Sequence, residues 1–428
     1  MKKNIFLKNI ITLIIGTLLT RLLGFVIRII FTRSLNADGI NLYSLVLPTY
    51  SLFLALTQMG LPVAISTIVA RNKVPFKKIA TSILPVIIIL NIVMILIILN
   101  TAPYIACNLL NNSDAILPIK SMSLVLPFVS ISSLLKGYYF GKQKMYPYTI
   151  SNVLEQIVRL GIILLILPKL LLKGYIYAVS GFIALSVLSE IVQILIFLLF
   201  LPNRINIKNI KYDNSITKDI LSLSVPSIGG RLLGNVLYFL EPVILIKTLM
   251  FFGYSNGFIV NEYGIYNAYT LPLLMIPSFL VQAVSTALVP EISKAYSKND
   301  KYMIKKRLKQ SLTITFSLSI LTNIIVFLFP EFLLNIIYNT TKGATYIKCL
   351  AFAFAFYNLE GPLNSALSAI NKPKEAFMAS SIGAIIKTIF MIILSPLKIG
   401  IYTLIIGEIL NIFTTIFLSF KYLKKAIG

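Results

Sequence analysis

The chain has 428 residues, 57% of them hydrophobic and 12% charged, with a mean hydropathy of +0.88 and a formal net charge of +25. Apolar runs of about 20 residues recur along nearly its whole length, each long enough to cross a hydrocarbon core of roughly 30 Å as a helix, which excludes an ordinary soluble domain. Histidine is absent, which excludes histidine-based catalysis, and the positive charge reads as topology and attraction to anionic lipid, with no nucleic acid as partner.

The first apolar run predicts a membrane helix over 6–32. It is too long for the core of a signal peptide and lacks a small-residue cleavage site before a hydrophilic chain, so it reads as a retained helix. Within it, TRLLGFVIR places Arg21 and Arg28 on one helix face, about 10 Å apart along the axis. A central arginine costs about 2.5 to 3.5 kcal/mol on insertion scales, so each needs a reason, and together they can line one cavity.

Further helices are predicted at 41–69, 79–100, 118–140, 148–167, 175–201, 217–250, 263–290, 309–336, 345–370, 376–395 and 399–420, which makes twelve. Basic residues gather in alternate connections: Lys2, Lys3 and Lys8; Arg71, Lys73, Lys77 and Lys78; Lys136, Lys142 and Lys144; Arg204 to Lys218; Lys294 to Lys309; and Lys421, Lys424 and Lys425. The positive-inside rule then predicts a multi-pass cell-membrane protein with both termini in the cytoplasm.

Along the spans, NVLEQIVRL sets Glu155 and Arg159 at the i,i+4 spacing, acid toward the amino end, which predicts an intrahelical ion pair. In GRLLGNVLYFLEP, Arg231 lies some way into its helix and Glu241 precedes Pro242. The missing N–H and ring clash at Pro242 predict a kink with a free carbonyl, hence a hinge or cation site. Glu190, Glu360, Lys387 and Glu408 fall near or within spans and are expected to pair between helices or sit at the interface. The deep cations, Arg21, Arg28 and Arg159 with Arg231, define a cavity that prefers an anion. Guanidinium forks suit phosphate, so a diphosphate headgroup and an inorganic anion both fit.

Landmarks recur in order. RLLGFVIRII, GINLYSLVLP and GLPVAIS in the first half are matched by RLLGNVLYFL, YGIYNAYTLP and LVPEIS in the second. The fold class expected is therefore an all-α integral membrane protein of about twelve transmembrane helices in two six-helix parallel half-repeats. The boundaries are 1–203 for the first bundle, 204–216 for a cytoplasmic linker and 217–428 for the second bundle. Parallel repeats of this kind belong to transporters that rock two halves about a central site, and pseudo-symmetry would set Arg231 opposite Arg21.

Cys107 and Cys349 form neither a metal-ligand spacing nor a disulfide framework, and no Walker motif is present, so neither metal nor nucleotide cofactor is expected. A membrane potential, worth about 2.3 kcal/mol per charge at 100 mV, or a monovalent cation would drive the cycle. A membrane glycosyltransferase would need a large outer loop or an acidic cluster, yet the longest outer loop, 101–117, carries one acid, Asp114. The chain is expected not to be an enzyme.

The set TRLLGFVIR, ADGINLY, SLVLPTY, TQMGLPVAIS, NVLEQIVRL, GRLLGNVLYFLEP and LPLLMIPSFLVQAVSTALVPEIS resembles the stage V sporulation protein B branch of the oligosaccharide-lipid flippases, which is related to the MurJ lipid II flippases. The resemblance implies the multidrug/oligosaccharidyl-lipid/polysaccharide exporter (MOP) superfamily, with two MATE-like bundles in a V around a cationic cavity. Relatives of this kind carry undecaprenyl-diphosphate-linked sugars from the inner to the outer leaflet. By that likeness the cargo is a polyprenyl-diphosphate-linked oligosaccharide, such as the peptidoglycan precursor lipid II, handled beside membrane lipid and cell-wall synthesis proteins. The alternatives are a polysaccharide repeat-unit flippase and a multidrug/cation antiporter, the latter requiring an acidic cavity. Arg21 matches the arginine of the S/T-R-x-L-G-F motif, and Arg28 lies one position after the second family arginine. Substrate binding is thus assigned to Arg21, Arg28, Arg159 and Arg231, and coupling or gating to Glu155, Glu241 and Pro242. The chain departs from MurJ-like proteins where Leu52, Phe53 and the stretch 269–271 replace arginines, and in having twelve predicted helices against fourteen.

Overall fold

Hydrocarbon offers no water to a free backbone N–H or C=O, so a chain this apolar must satisfy its hydrogen bonds within helices. In the computed structural model, which describes residues 2–72, 74–201 and 213–428, with side chains at 12–71, 74–201, 213–224 and 232–428, every regular element is helical. Among the described residues ten helices are long and apolar enough to cross a membrane. An eleventh span is formed if Asn256–Leu274 and Ser278–Ser297, which bend by 54° at their junction, are taken together.

Two of the predicted spans are corrected in detail. The one expected at 345–370 is split into Ala344–Tyr357 and Glu360–Ala369, neither of which is long enough alone. Pro362 cannot donate to the carbonyl of Asn358, where the first of the two helices ends, and the Asn358 side-chain Nδ2 donates to Ser319 Oγ at 2.8 Å. The one expected as a continuous helix over 263–290 bends at Met275 to Pro277, where Pro277 likewise removes a helical donor. The helix Asn214–Phe251 runs on through Pro242, as the predicted span over 217–250 has it.

By contacts the chain forms two compact units: Met1–Phe31 with Val46–Asn235, and Thr32–Leu45 with Val236–Gly428. The first holds α1 (Lys2–Ser34) up to Phe31, the later part of α2 (Ala37–Gln58), and α3 (Leu61–Asn72), α4 (Phe76–Tyr104), α5 (Ile116–Gly141), α6 (Met145–Leu171), α7 (Tyr175–Ala184) and α8 (Ser186–Leu199). It also takes the start of α9 (Asn214–Phe251). The expected linker at 204–216 falls largely outside the described residues.

The core of the first unit is built where small residues let helices close. A Cβ on Gly137 of α5 would come within 3.0 Å of the Pro62 backbone of α3, so glycine sets that approach. Around it pack Leu61, Ile65, Ile79, Ile83, Leu134, Phe197 and Tyr139, whose hydroxyl donates to the Phe197 carbonyl at 2.6 Å. Asp213 caps α9 by accepting from Ser215 N at 3.0 Å, and Lys78 Nζ of α4 lies 2.9 Å from Asp213 Oδ2. That hydrogen bond from Lys78 holds the Asp213 carboxyl below the usual aspartate range.

The second unit holds the rest of α9, then α10 (Asn256–Ile265), a π-helical turn Tyr266–Thr270, α11 (Leu271–Leu274), α12 (Ser278–Ser297), α13 (Lys301–Leu328) and α14 (Pro330–Tyr338). It is completed by α15 (Ala344–Tyr357), α16 (Glu360–Ala369), α17 (Pro373–Leu394) and α18 (Tyr402–Ile427). Its core includes Leu350, Phe354, Leu363, Leu367, Leu404 and Ile405. Each unit contains one buried amide–hydroxyl clasp between partners 39 residues apart: Asn91 to Ser130 at 3.0 Å, and Asn358 to Ser319 at 2.8 Å. The amide comes from the earlier residue in the first unit and from the later one in the second.

Candidate functional site

In the first unit, α1 and α6 run side by side in the same direction. A Cβ on Gly16 would collide with the Thr149 side chain, and one on Gly24 would lie 3.6 Å from Gln156 Oε1. One turn beyond these contacts, Arg28 on α1 is level with Arg159 on α6. Lower down, Arg21 lines a recess of about 170 Å³ together with Gly16, Thr17, Thr20, Tyr148, Thr149 and Asn152. The guanidinium is a fork of donors suited to phosphate oxygens, while the Thr20 and Thr149 hydroxyls donate to the carbonyls of Gly16 at 2.7 Å and Thr12 at 3.5 Å.

The expected Glu155–Arg159 ion pair is not formed: among the described residues no salt bridge joins them. The Arg159 guanidinium instead lies over the Phe182 ring, 5.1 Å from its centroid, and Phe182 stacks on Phe31 of α1 at 3.8 Å. Glu155, 8% exposed, accepts from Gln156 Nε2 at 3.2 Å. An aromatic face within reach takes the planar cation, and local spacing alone does not decide between the two partners. Nearby, Gln193 Nε2 of α8 donates to Asn152 Oδ1 at 2.8 Å. Arg159 Nε and Glu190 Oε2 are buried without a hydrogen-bond partner among the described residues. The structure thus brings Arg28 and Arg159 to one level and sets Arg21 in its own recess. The side chain of Arg231 lies outside the described residues.

In the second unit, Glu241 does have a charged partner, and it comes from far along the chain. Lys387 Nζ of α17 lies 2.5 Å from Glu241 Oε2 and also pairs with Glu408 Oε2 of α18. The side chains are 13%, 7% and 11% exposed for Lys387, Glu241 and Glu408. Glu241 Oε1 accepts from Tyr263 OH at 3.2 Å, Asn267 Nδ2 donates to that hydroxyl at 3.2 Å, and Asn411 Nδ2 donates to Glu408 Oε1 at 3.4 Å. The pairing expected for Lys387 and Glu408 is present, whereas sequence reasoning misses their junction at Glu241. The available signal is three ionisable residues inside three separate spans, which shows a need for partners but not which will meet.

A Cβ on Gly407 would lie 3.0 Å from the Lys387 carbonyl oxygen, and one on Gly383 would collide with Asn411 and Thr415. These glycines bring α17 and α18 close enough for the lysine to reach both acids. Glu360 is separate, accepting from Asn364 at 3.1 Å and Ser380 at 2.8 Å.

Comparison with known proteins agrees with this architecture. The polysaccharide biosynthesis protein family matches residues 6–296, and the MatE family matches residues 266–393. Stage V sporulation protein B of Bacillus subtilis (strain 168) is 33% identical over 407 residues, covering 92% of this chain and 79% of the relative. Lipid II flippase MurJ of the same organism is 25% identical over 419 residues, covering 90% of this chain and 76% of the relative. Among solved structures, an inward-facing multidrug resistance MATE family transporter of the MOP superfamily matches with a TM-score of 0.79. That match covers 95% of this chain and 94% of the other at 15% identity, which speaks for the fold alone. With most of its length matched to the polysaccharide biosynthesis protein family, the chain belongs to that family and is a multi-pass membrane transporter of the MOP superfamily, in the branch of stage V sporulation protein B and MurJ.

Proposed function

We propose that this protein is a flippase that moves an undecaprenyl-diphosphate-linked sugar, a peptidoglycan precursor such as lipid II, from the inner to the outer leaflet of the cell membrane by alternating access. The observation that carries this reading is the recess of Arg21, where a guanidinium that cannot lose its charge sits among Thr17, Thr20, Thr149 and Asn152. Arg21 would take the diphosphate at the cytoplasmic stage, with Arg28 and Arg159 one level higher and Arg231 completing the set. Glu155, Glu241 and Pro242 would couple substrate movement to the membrane potential or to a monovalent cation. Both termini lie in the cytoplasm on this reading, and cell-wall synthesis proteins receive the cargo.

The test is complementation of cells depleted of their lipid II flippase, comparing wild type with Arg21→Ala at equal expression. Rescue by the wild type is expected. Loss of one charge-assisted contact worth about 1.5 to 3 kcal/mol should weaken substrate binding about 10- to 100-fold, enough to abolish rescue by Arg21→Ala. Failure of the wild type would sink lipid II as cargo. The match to the polysaccharide biosynthesis family favours a second reading in that case, a flippase for another polyprenyl-diphosphate-linked repeat unit. Full rescue by Arg21→Ala would remove the recess from the mechanism.

A further inference from the structure

The Glu241–Lys387–Glu408 cluster has the composition of a cation site, and its cation is part of the chain. Two carboxylates from α9 and α18 converge on one point between helices, and the Lys387 ammonium occupies that point. All four carboxylate oxygens are engaged: Glu241 by Tyr263 and Lys387, Glu408 by Asn411 and Lys387. Two acids against one base leave the triad with a formal charge of −1, so removing the ammonium would leave two unscreened carboxylates in a buried setting.

A second observation concerns a polar group near the triad. The Tyr266 hydroxyl is fully buried without a hydrogen-bond partner among the described residues, and it lies within electrostatic range of Glu241, Lys387 and Glu408. It sits in the π-helical turn Tyr266–Thr270, a local distortion of the kind that re-aims side chains at functional sites. Two carboxylates and a phenol oxygen are hard oxygen donors, the chemistry that suits an alkali-metal ion. Gly407 fixes α18 against the Lys387 backbone, so the ammonium arrives on a short, defined tether.

We propose that Lys387 is a tethered cation filling a monovalent-cation site made by Glu241 and Glu408, so that the native chain takes up no sodium or potassium there and removal of the lysine side chain opens the site to either ion. Occupancy of this site by the lysine does not depend on whether the cargo is a lipid-linked sugar. It narrows the coupling choices, since a cycle using this cluster would draw on charge movement of the lysine itself and not on an alkali-metal gradient.

The test is thermal unfolding of the purified full chain in detergent, in sodium, potassium or choline chloride at equal ionic strength. The wild type should melt at one temperature in all three. Lys387→Ala and Lys387→Ser should melt lower in choline chloride and recover with a saturable, concentration-dependent rise in sodium or potassium, as a ligand that binds only the folded state requires. Adding Glu408→Gln to either variant should abolish that rise. Lysine variants that melt alike in all three salts, or that fail to fold in any of them, would overturn the proposal. So would saturable sodium or potassium stabilisation of the wild type that Glu241→Gln removes.

Discussion

Lys387 Nζ and Glu241 Oε2 meet at 2.5 Å although the two residues are 146 positions apart in the chain. The contact joins a helix near the start of the second unit to one near its end, and Glu408 extends it to the last helix. A buried ion pair is costly to form but costlier to break, because removing one partner leaves an uncompensated buried charge.

Lys387→Met and Glu408→Gln should therefore behave very differently. The first leaves two facing carboxylates and should cost about 3 to 5 kcal/mol in choline chloride, whereas the second leaves a neutral Glu241–Lys387 pair and should cost clearly less. Unfolding midpoints of the two variants in one detergent give the ranking, and equal loss would contradict the charge count.

Helix spacing makes a separate prediction. Gly383→Leu would force a side chain into Asn411 and Thr415, and overpacking of this kind costs about 1 to 3 kcal/mol. A Cβ added to Gly161 on α6 would meet nothing within 4 Å, so Gly161→Ala should be neutral or stabilising by up to about 1 kcal/mol. Thermal melts of the two variants should move in opposite directions.

For Arg159 the partner is the Phe182 ring and not Glu155. A double-mutant cycle of Arg159→Gln with Phe182→Leu should return a coupling of about 0.5 to 2 kcal/mol. The matching cycle with Glu155→Gln should return less than about 0.5 kcal/mol. A larger coupling to Glu155 would restore the ion pair that the i,i+4 spacing suggests.

The Lys78–Asp213 contact supplies a pH dependence. Because the Asp213 carboxyl is held below its usual value, its contribution is present above the unfolded aspartate pKa of about 3.9 and is lost as pH falls through the lower folded value. Asp213→Ala should lower the melting temperature at neutral pH, and its difference from wild type should persist between about pH 5 and 8 but shrink in acid. It should exceed the effect of Lys78→Ala, which keeps the cap on α9, and only the lysine contribution should fade in high salt.

What the sequence determined by itself is the set of helices, because the hydrophobic requirement for crossing a membrane is local and each apolar run satisfies it alone. Most predicted spans and the repeated landmarks around RLLG were legible on that basis. The breaks at Met275 to Pro277 and between Tyr357 and Glu360 were not, because a proline inside an apolar run does not by itself say whether the helix will end there or continue, as Asn214–Phe251 does through Pro242. Pairing of the buried charges was decided by tertiary structure. Glu155 and Arg159 have ideal spacing yet part, since Phe182 arrives from another helix, whereas Glu241, Lys387 and Glu408 have no spacing in common yet meet. In a low-dielectric interior each charge takes the best partner that packing delivers, and packing is set by the approach of whole helices at glycines such as Gly383 and Gly407, which no local pattern of charges encodes.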